Sequence, residues 1–330
     1  MKYPKLLEIQ LTGSCNLKCS YCGNSEKFLN DSSANIENII RAIKELRPER
    51  ILFTGGEVYL EWEALIKILN ELRNQGVSYQ YTLSSNLTIV TTEGLDLLID
   101  TYGFDTFHSS FNDLNDEMSY AVRKNTPRGR LNLINNLKHL CQRGVNVRVE
   151  TMLIAGTIEY LKEINELLFA IGVKNHKLEF LIPVGQTQDE IIIDYKTVLD
   201  KVLEFYKSKE NDSKIIPCCF PIPPCEHPHK LFNLNEPDIE FNKCVDGIES
   251  CYLMSSGKLL PCFIFPEEAV NPAGKTYLEQ WQEGSAFAWF RTGHEICKNC
   301  EVSSYNVNAL HGICSNGCSS YNYIRTDSFA

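Results

Sequence analysis

Cys15, Cys19 and Cys22 stand in the run GSCNLKCSYCGNS, directly after the apolar stretch LLEIQLT. A loop with C-x3-C-x2-C spacing can turn three thiolates toward one cubane [4Fe–4S] cluster and leave its fourth iron open to a small molecule. Close cysteines also make zinc sites, disulfides or ordinary buried thiols. Zinc usually takes a fourth ligand nearby, and the first histidine is His108. No apolar signal segment precedes the motif, so a reducing, cytoplasmic compartment is expected, where structural disulfides are rare.

Two more segments carry chemistry of their own. Thr54, Gly55, Gly56 and Glu57 follow the strand-like ILF, and paired glycines let a main chain approach a ligand with no Cβ in the way. Ser84, Ser85 and Asn86 close the strand-like YQYTL. Singly these are a turn, a helix cap and, for Tyr21, a core aromatic.

Together and in this order, the segments resemble the signature of the radical S-adenosylmethionine (radical SAM) superfamily. The resemblance implies that Cys15, Cys19 and Cys22 hold a [4Fe–4S] cluster and that Tyr21 packs near the adenine of SAM. It implies that Gly55, Gly56 and Glu57 bind the amino end of the methionine moiety through the backbone. Ser84, Ser85 and Asn86 then hydrogen-bond the ribose or carboxylate. Ser110 resembles the serine of the family's S-x-D-G strand end, with Asn112 and Asp113 where Asp-Gly is expected. Arg123 resembles the arginine that pairs with the SAM carboxylate; its alternative is a solvated surface arginine.

These segments need strands to carry them. From residue 6 to about 208, short apolar runs alternate with longer amphipathic ones, as β/α units do. Strands are expected at 6–11, 50–53, 78–83, 105–110, 146–153 and 178–182. Helices are expected at 35–46, 61–75, 92–101, 130–143, 158–171 and 195–208, with Thr92 as a cap and Gly76, Gly144 and Gly172 as stops. Right-handed crossovers put every strand's carboxyl end on one rim, where the three motifs converge. The expected fold class is α/β, a parallel sheet curved into part of a barrel, and the resemblance implies the same incomplete (β/α)6 barrel. Glu8, Gln10 and Glu150 lie on strand candidates, and register decides which of them faces inward.

Among the 330 residues, 43% are hydrophobic and 22% charged, as in an ordinary soluble globular chain. No apolar run reaches the 18 or so residues of a membrane span. A formal charge of −10 argues against a broad nucleic-acid surface.

After about 210 the character changes. Pro217 to Pro228 reads PCCFPIPPCEHP, which no helix or central strand tolerates, because proline fixes φ and lacks the amide donor. Beyond it come Cys244, Cys251 and Cys262, then Cys297, Cys300, Cys314 and Cys318. With Gly257, the first three resemble the opening of the SPASM extension of radical SAM enzymes, which ligates auxiliary Fe–S clusters. The resemblance implies Cys244, Cys251, Cys262 and Cys318 around one auxiliary cluster. Cys297, Cys300 and Cys314 remain for a second, with Cys219 or Cys225 as its further ligand or with one iron left open. The smaller twitch variant with one cluster and a zinc-ribbon domain are the alternatives. The organisation expected is a radical SAM partial barrel over 1–210, a Pro/Cys-rich connector over 211–243, and a SPASM/twitch-like domain over 244–330.

The resemblance implies an enzyme that cleaves SAM reductively to a 5′-deoxyadenosyl radical, fed by a flavodoxin- or ferredoxin-type electron donor. A ribosomally made peptide is the substrate expected, modified by crosslink, thioether, epimerisation or oxidation. A radical dehydrogenase or epimerase of a small polyol is the alternative enzyme, and an iron–sulfur or zinc binding protein the alternative outside catalysis. Cys218, Cys219 and Cys225 are candidates to return a hydrogen atom to a substrate radical. Cys141 follows a helical run and is expected to be a small buried residue.

Overall fold

The computed structural model describes residues 2–23, 34–218, 245–265, 270 and 274–292. Seven strands run parallel in sequence order: β1 (Leu6–Gln10), β2 (Arg50–Thr54), β3 (Gln80–Ser84), β4 (Phe104–Ser110), β5 (Asn146–Leu153), β6 (Asn175–Phe180) and β7 (Lys214–Cys218). β8 (Ser250–Leu253) pairs parallel with β1, and β9 (Leu259–Leu260) antiparallel with β8. The sheet is open, in the order β7-β6-β5-β4-β3-β2-β1-β8-β9. The α/β class and the unclosed, mostly parallel sheet are as the sequence pattern predicts; the six expected strands gain neighbours at both edges.

The additions have physical reasons. β7 contains Pro217, and its place at the sheet edge is where a strand can spare an amide donor. β8 is a four-residue run, SCYL, buried throughout, and so short an apolar run has no period to read.

The connecting helices are α1 (Ile36–Leu46), α2 (Trp62–Asn74), α3 (Thr92–Tyr102), α4 (Asp116–Arg123), α5 (Pro127–Gln142), α6 (Leu161–Ile171) and α7 (Tyr195–Ser208). α8 (Tyr277–Glu283) and α9 (Ser285–Thr292) follow the sheet's last strand. In α1, Ile39, Ile40, Ile43 and Leu46 form the buried stripe, and the Asn35 side chain accepts from Asn38 N–H. In α3 the cap is Thr91, one residue before the one expected; it accepts from Gly94 N–H. Gly172 ends α6 at φ 110°, a left-handed conformation that a Cβ disfavours. α4 is absent from the sequence expectation, because its eight residues are mostly polar; Asn115 caps it. Among the described residues no helix is long and apolar enough to cross a membrane.

Helices cover one face of the sheet, and that face is the core. Leu7, Ile9, Ile51, Phe53, Leu83 and Phe107 pack there with the α1 and α2 stripes. Phe104 sits 5.2 Å from Tyr81 and 6.2 Å from Phe107, ring to ring. Phe53→Ala in this layer would cost about 3–5 kcal/mol. The opposite face is polar, unlike that of most parallel sheets, which are apolar on both sides. β5 and β6 alternate strictly, so Arg148, Glu150, Lys177 and Glu179 share the face turned away from the core.

Candidate functional site

The cysteine loop leaves β1 at the carboxyl rim and is held from three sides by backbone hydrogen bonds. Gly56 and Glu57 N–H donate to the Thr12 and Ser14 carbonyls at 2.8 and 2.9 Å. Lys18 and Ser20 N–H donate to the Arg123 and Val122 carbonyls at the end of α4, at 3.1 and 2.9 Å. From the far side, Gln186 and Gln188 N–H donate to the Cys22 and Ser20 carbonyls at 2.9 and 3.1 Å. A loop that carries no regular structure is thereby fixed through Thr12, Ser14, Lys18, Ser20 and Cys22.

The glycine pair has a specific use here. A Cβ on Gly55, which sits at φ 146°, would collide with the Thr12 carbonyl, and one on Gly56 with the Gly13 and Ser14 carbonyls. What approaches these glycines is the backbone of the cysteine loop itself. Glu57, 1% exposed, then turns back into the fold. Its carboxylate accepts from Tyr59 N–H at 3.1 Å, Ser85 Oγ at 2.8 Å and Asn86 N–H at 2.8 Å. Burial pushes the carboxyl up, and these donors pull against the rise. Glu57 therefore ties the ends of β2 and β3 together.

Asn86 reaches the cysteine loop. Its Nδ2 lies 3.8 Å from Cys15 Sγ and donates to Asn16 Oδ1 at 2.9 Å. Ser84 ends β3 on the polar face of the sheet. At the end of β4, the Ser110 carbonyl accepts from Arg123 Nη1 at 2.7 Å. Arg123 is 1% exposed and its Nε has no partner among the described residues, so the alternative of a solvated surface arginine is overturned. Burial works against its charge, but Tyr21, Cys19 and Asp113 outweigh it and raise its pKa. Asp113 in turn pairs with Arg130.

Tyr21 is half-buried beside Cys19, and desolvation first, then Cys19, raises its hydroxyl pKa. Its hydroxyl takes a hydrogen bond from Asn112, a residue seen in the sequence only as a departure from the family pattern. Nothing in the sequence marks Gln186 or Gln188, since backbone clamps leave no side-chain signal.

The Cys15 thiol is pushed up to about 11, chiefly by burial, while Leu17 N–H donates to its sulfur at 3.4 Å and pulls the other way. Cys19, Glu57 and Cys22 add to the rise. Three thiols in such a place ionise together only if a cation takes up the charge. Soft thiolates without carboxylate or imidazole are the donor set of an Fe–S cluster. Among the described residues no three His, Cys, Asp or Glu side chains close on a single ion; the fit to a cluster rests on the all-thiol donor set of one clamped loop. The residues present fit the group.

Of the later cysteines, Cys251 on β8 is 1% exposed within the main core, and burial raises its thiol pKa well above the ordinary value. Cys262 is buried just beyond β9, and Gly257 makes the β8–β9 turn at φ 88°. Cys218 ends β7 opposite Glu179, its sulfur 3.6 Å from the Leu178 carbonyl. Cys141 is half-buried on α5. Cys219, Cys225, Cys244, Cys297, Cys300, Cys314 and Cys318 lie outside the described residues.

The polar face below the rim holds a second set of charges. Lys177 pairs with Glu150 at 2.5 Å; burial pushes Glu150 up, but the ammonium outweighs it and holds the carboxyl low. Burial pushes Glu8 up to about 8, with Asp246 adding and Lys177 opposing.

Residues 9–171 match the family model described as the radical SAM superfamily. A relative named AdoMet-dependent heme synthase, from Nitratidesulfovibrio vulgaris, is 21% identical over 93% of this chain and 90% of its own. Among solved structures, Streptococcus suis SuiB bound to precursor peptide SuiA matches with a TM-score of 0.72 at 18% identity, over 98% of this chain and 74% of that one. Native anSMEcpe with bound AdoMet matches with a TM-score of 0.64 at 14% identity, over 98% and 96%.

Proposed function

Because this chain belongs to the radical SAM superfamily, we propose that it is an enzyme that uses SAM and a [4Fe–4S] cluster held by Cys15, Cys19 and Cys22 to modify a peptide. When bound, the cluster supplies the electron that cleaves SAM to methionine and a 5′-deoxyadenosyl radical, which takes a hydrogen atom from the substrate.

The chain's own residues supply position, charge and dryness. The observation that carries the reading is the three-sided clamp on the cysteine loop, which brings Asn86, Tyr21 and Arg123 to the thiols. Arg123 is a buried guanidinium with an unpartnered Nε, suited to the carboxylate of the methionine moiety. Tyr21 offers a ring face for the adenine. Asn86, anchored through its backbone to Glu57, is left with a side chain that spans the cysteine loop. Arg123 is buried and Tyr21 and Asn86 are half-buried, and keeping water from this rim protects a carbon radical from quenching.

A peptide substrate is supported by the fold likeness to SuiB, solved with its precursor peptide. A small-molecule substrate is the second reading, favoured by the relative named as a heme synthase. A flavodoxin- or ferredoxin-type donor would deliver the electron. The seven cysteines from Cys244 to Cys318 would hold the auxiliary clusters of a SPASM/twitch-like region over 244–330, whose β8 and β9 continue the sheet of the 1–210 barrel beside β1, as β7 within 211–243 continues it beside β6. Cys218, Cys219 and Cys225 stay candidates for hydrogen-atom return.

Anaerobically reconstituted protein given SAM and dithionite should release 5′-deoxyadenosine. No release from protein with a full iron complement overturns the enzyme. Mass spectrometry of a co-expressed precursor peptide then sorts the outcomes: no change in mass for epimerisation, loss of two hydrogens for oxidation or crosslinking. Persistent absence of any modification, with SAM cleavage intact, turns the choice to a small molecule.

A further inference from the structure

Gln10 closes β1 and is 0% exposed, yet neither its Oε1 nor its Nε2 has a hydrogen-bond partner among the described residues. A buried carboxamide with both functions unused is exceptional in a folded protein and calls for a missing partner. Its direction follows from strand alternation: Leu7 and Ile9 lie in the helix-side core, so Glu8 and Gln10 share the polar face. Gln10 sits in register with Thr54, immediately before the glycine pair, and five residues ahead of Cys15. It therefore stands between the cofactor rim and the charged floor.

The side chain of Glu8, two residues down the same face, makes no hydrogen bond or ion pair among the described residues. The ammonium that could serve it, Lys177, is already paired with Glu150 at 2.5 Å. Glu179 and Asp246 add negative charge around it. A position with no ligand to meet would carry Leu or Val here, as parallel strands usually do.

We infer that Gln10 and Glu8 form a substrate-anchoring strip on β1 that takes a peptide group and an adjacent basic side chain. A carboxamide offers both an acceptor and donors, and the group that answers both at once is another amide. Two residues along a strand span about 6.6 Å, the repeat of same-facing groups in any extended chain. A peptide laid along β1 thus presents its amide to Gln10 and a lysine or arginine cation to Glu8. The inference rests on the peptide reading above and adds to it a preference for a basic residue.

The test uses the reconstituted full chain and two small probes, N-acetyl-lysine N-methylamide and its uncharged norleucine counterpart, titrated by ligand-observed NMR. Wild type should bind the lysine probe at least tenfold more tightly than the norleucine probe. Glu8→Gln should remove that preference. Gln10→Met, close in shape and free of polar atoms, should weaken the lysine probe at least tenfold and raise Tm, because an unpaired amide has been taken out of the interior. Indifference of the wild type to the two probes, or wild-type affinity in Gln10→Met, overturns the strip. A fall in Tm for Gln10→Met shows an amide already partnered in the free protein and overturns it as well. SAM cleavage by the wild type without probe reads the underlying activity separately, so a failure there is told apart from a failure of the strip.

Discussion

The Tyr21 hydroxyl accepts a hydrogen bond from Asn112 Nδ2 at 2.8 Å, and the other end of the same carboxamide accepts from Met152 N–H at 2.7 Å. One side chain, 0% exposed, thus links the cysteine loop to the ends of β4 and β5. Asn112→Ala leaves the Met152 amide without its acceptor and takes one donor from the Tyr21 hydroxyl, and should cost about 1–3 kcal/mol. Tyr21→Phe frees only the Asn112 donor and should cost less. Denaturant unfolding of both single variants and the double variant checks this; the pair should couple, the double variant costing less than the two singles added.

Gly56 is irreplaceable for a reason local to this fold. Alanine there meets the Gly13 and Ser14 carbonyls, which are backbone and cannot swing aside. Gly56→Ala should therefore push the cysteine loop out of place and cut iron uptake on anaerobic reconstitution several-fold. Gly103→Ala is the control: it too carries a positive φ, 75°, but its Cβ meets nothing within 4 Å. It should cost about 1 kcal/mol of backbone strain and keep its iron.

The alternation of units was legible because each helix carries a full stripe, as α1 does with Ile39, Ile40, Ile43 and Leu46, and each motif follows its strand. β7 was not, since Pro217 argues against a strand until the sheet edge is known. α4 was not, since DEMSYAVR owes its helicity to the Asn115 cap and to packing against the loop. At the site, the spacing of Cys15, Cys19 and Cys22 put three thiols on one loop, whereas the work of the Glu57 carboxylate did not show, since its donors Ser85 and Asn86 follow another strand. What Gly55 and Gly56 approach did not, because two strands far apart in sequence meet there. The same holds for Gln10, whose meaning lies in what fails to reach it.

His176 should set part of the acid sensitivity of the fold. It is 0% exposed, accepts at Nδ1 from Asn165 Nδ2 at 2.9 Å and donates from Nε2 to Thr151 Oγ1 at 2.8 Å. Burial holds its pKa down at about 3, against about 6.5 in an unfolded chain. The folded state thus resists a proton that the unfolded state takes, so the stability is complete above pH 6.5 and is lost as pH falls toward 3. Between pH 7 and pH 5 the loss from this group should be about 2 kcal/mol. Thermal unfolding at the two pH values should show a smaller drop in His176→Gln than in wild type.

Alanine at Cys15, Cys19 or Cys22 should each lower iron by about four atoms per chain, one cubane, and abolish release of 5′-deoxyadenosine. Cys141→Ala separates loss of a cluster ligand from loss of any thiol. Cys141 is half-buried on α5, where its side chain neighbours Gly172, and its removal should leave iron and cleavage at wild-type levels. Iron assay and chromatography of the reaction mixture read both. Retained cleavage in Cys19→Ala would move the metal site elsewhere.

Glu57 acts through Ser85, Tyr59 and Asn86, and its variants should grade accordingly. Glu57→Ala strands three donors inside the protein, whereas Glu57→Gln keeps one acceptor and turns an amide against the donors that faced the lost oxygen. The expected order of Tm is wild type, then Gln, then Ala, with the Gln variant down about 1–3 kcal/mol. Because Asn86 N–H bonds to Oε2 and its side chain lies beside Cys15, SAM affinity should weaken in the same order. Equilibrium dialysis of SAM against the three reconstituted proteins checks it. Equal affinity with unequal Tm would make Glu57 a brace for β2 and β3 alone, with no part in placing Asn86.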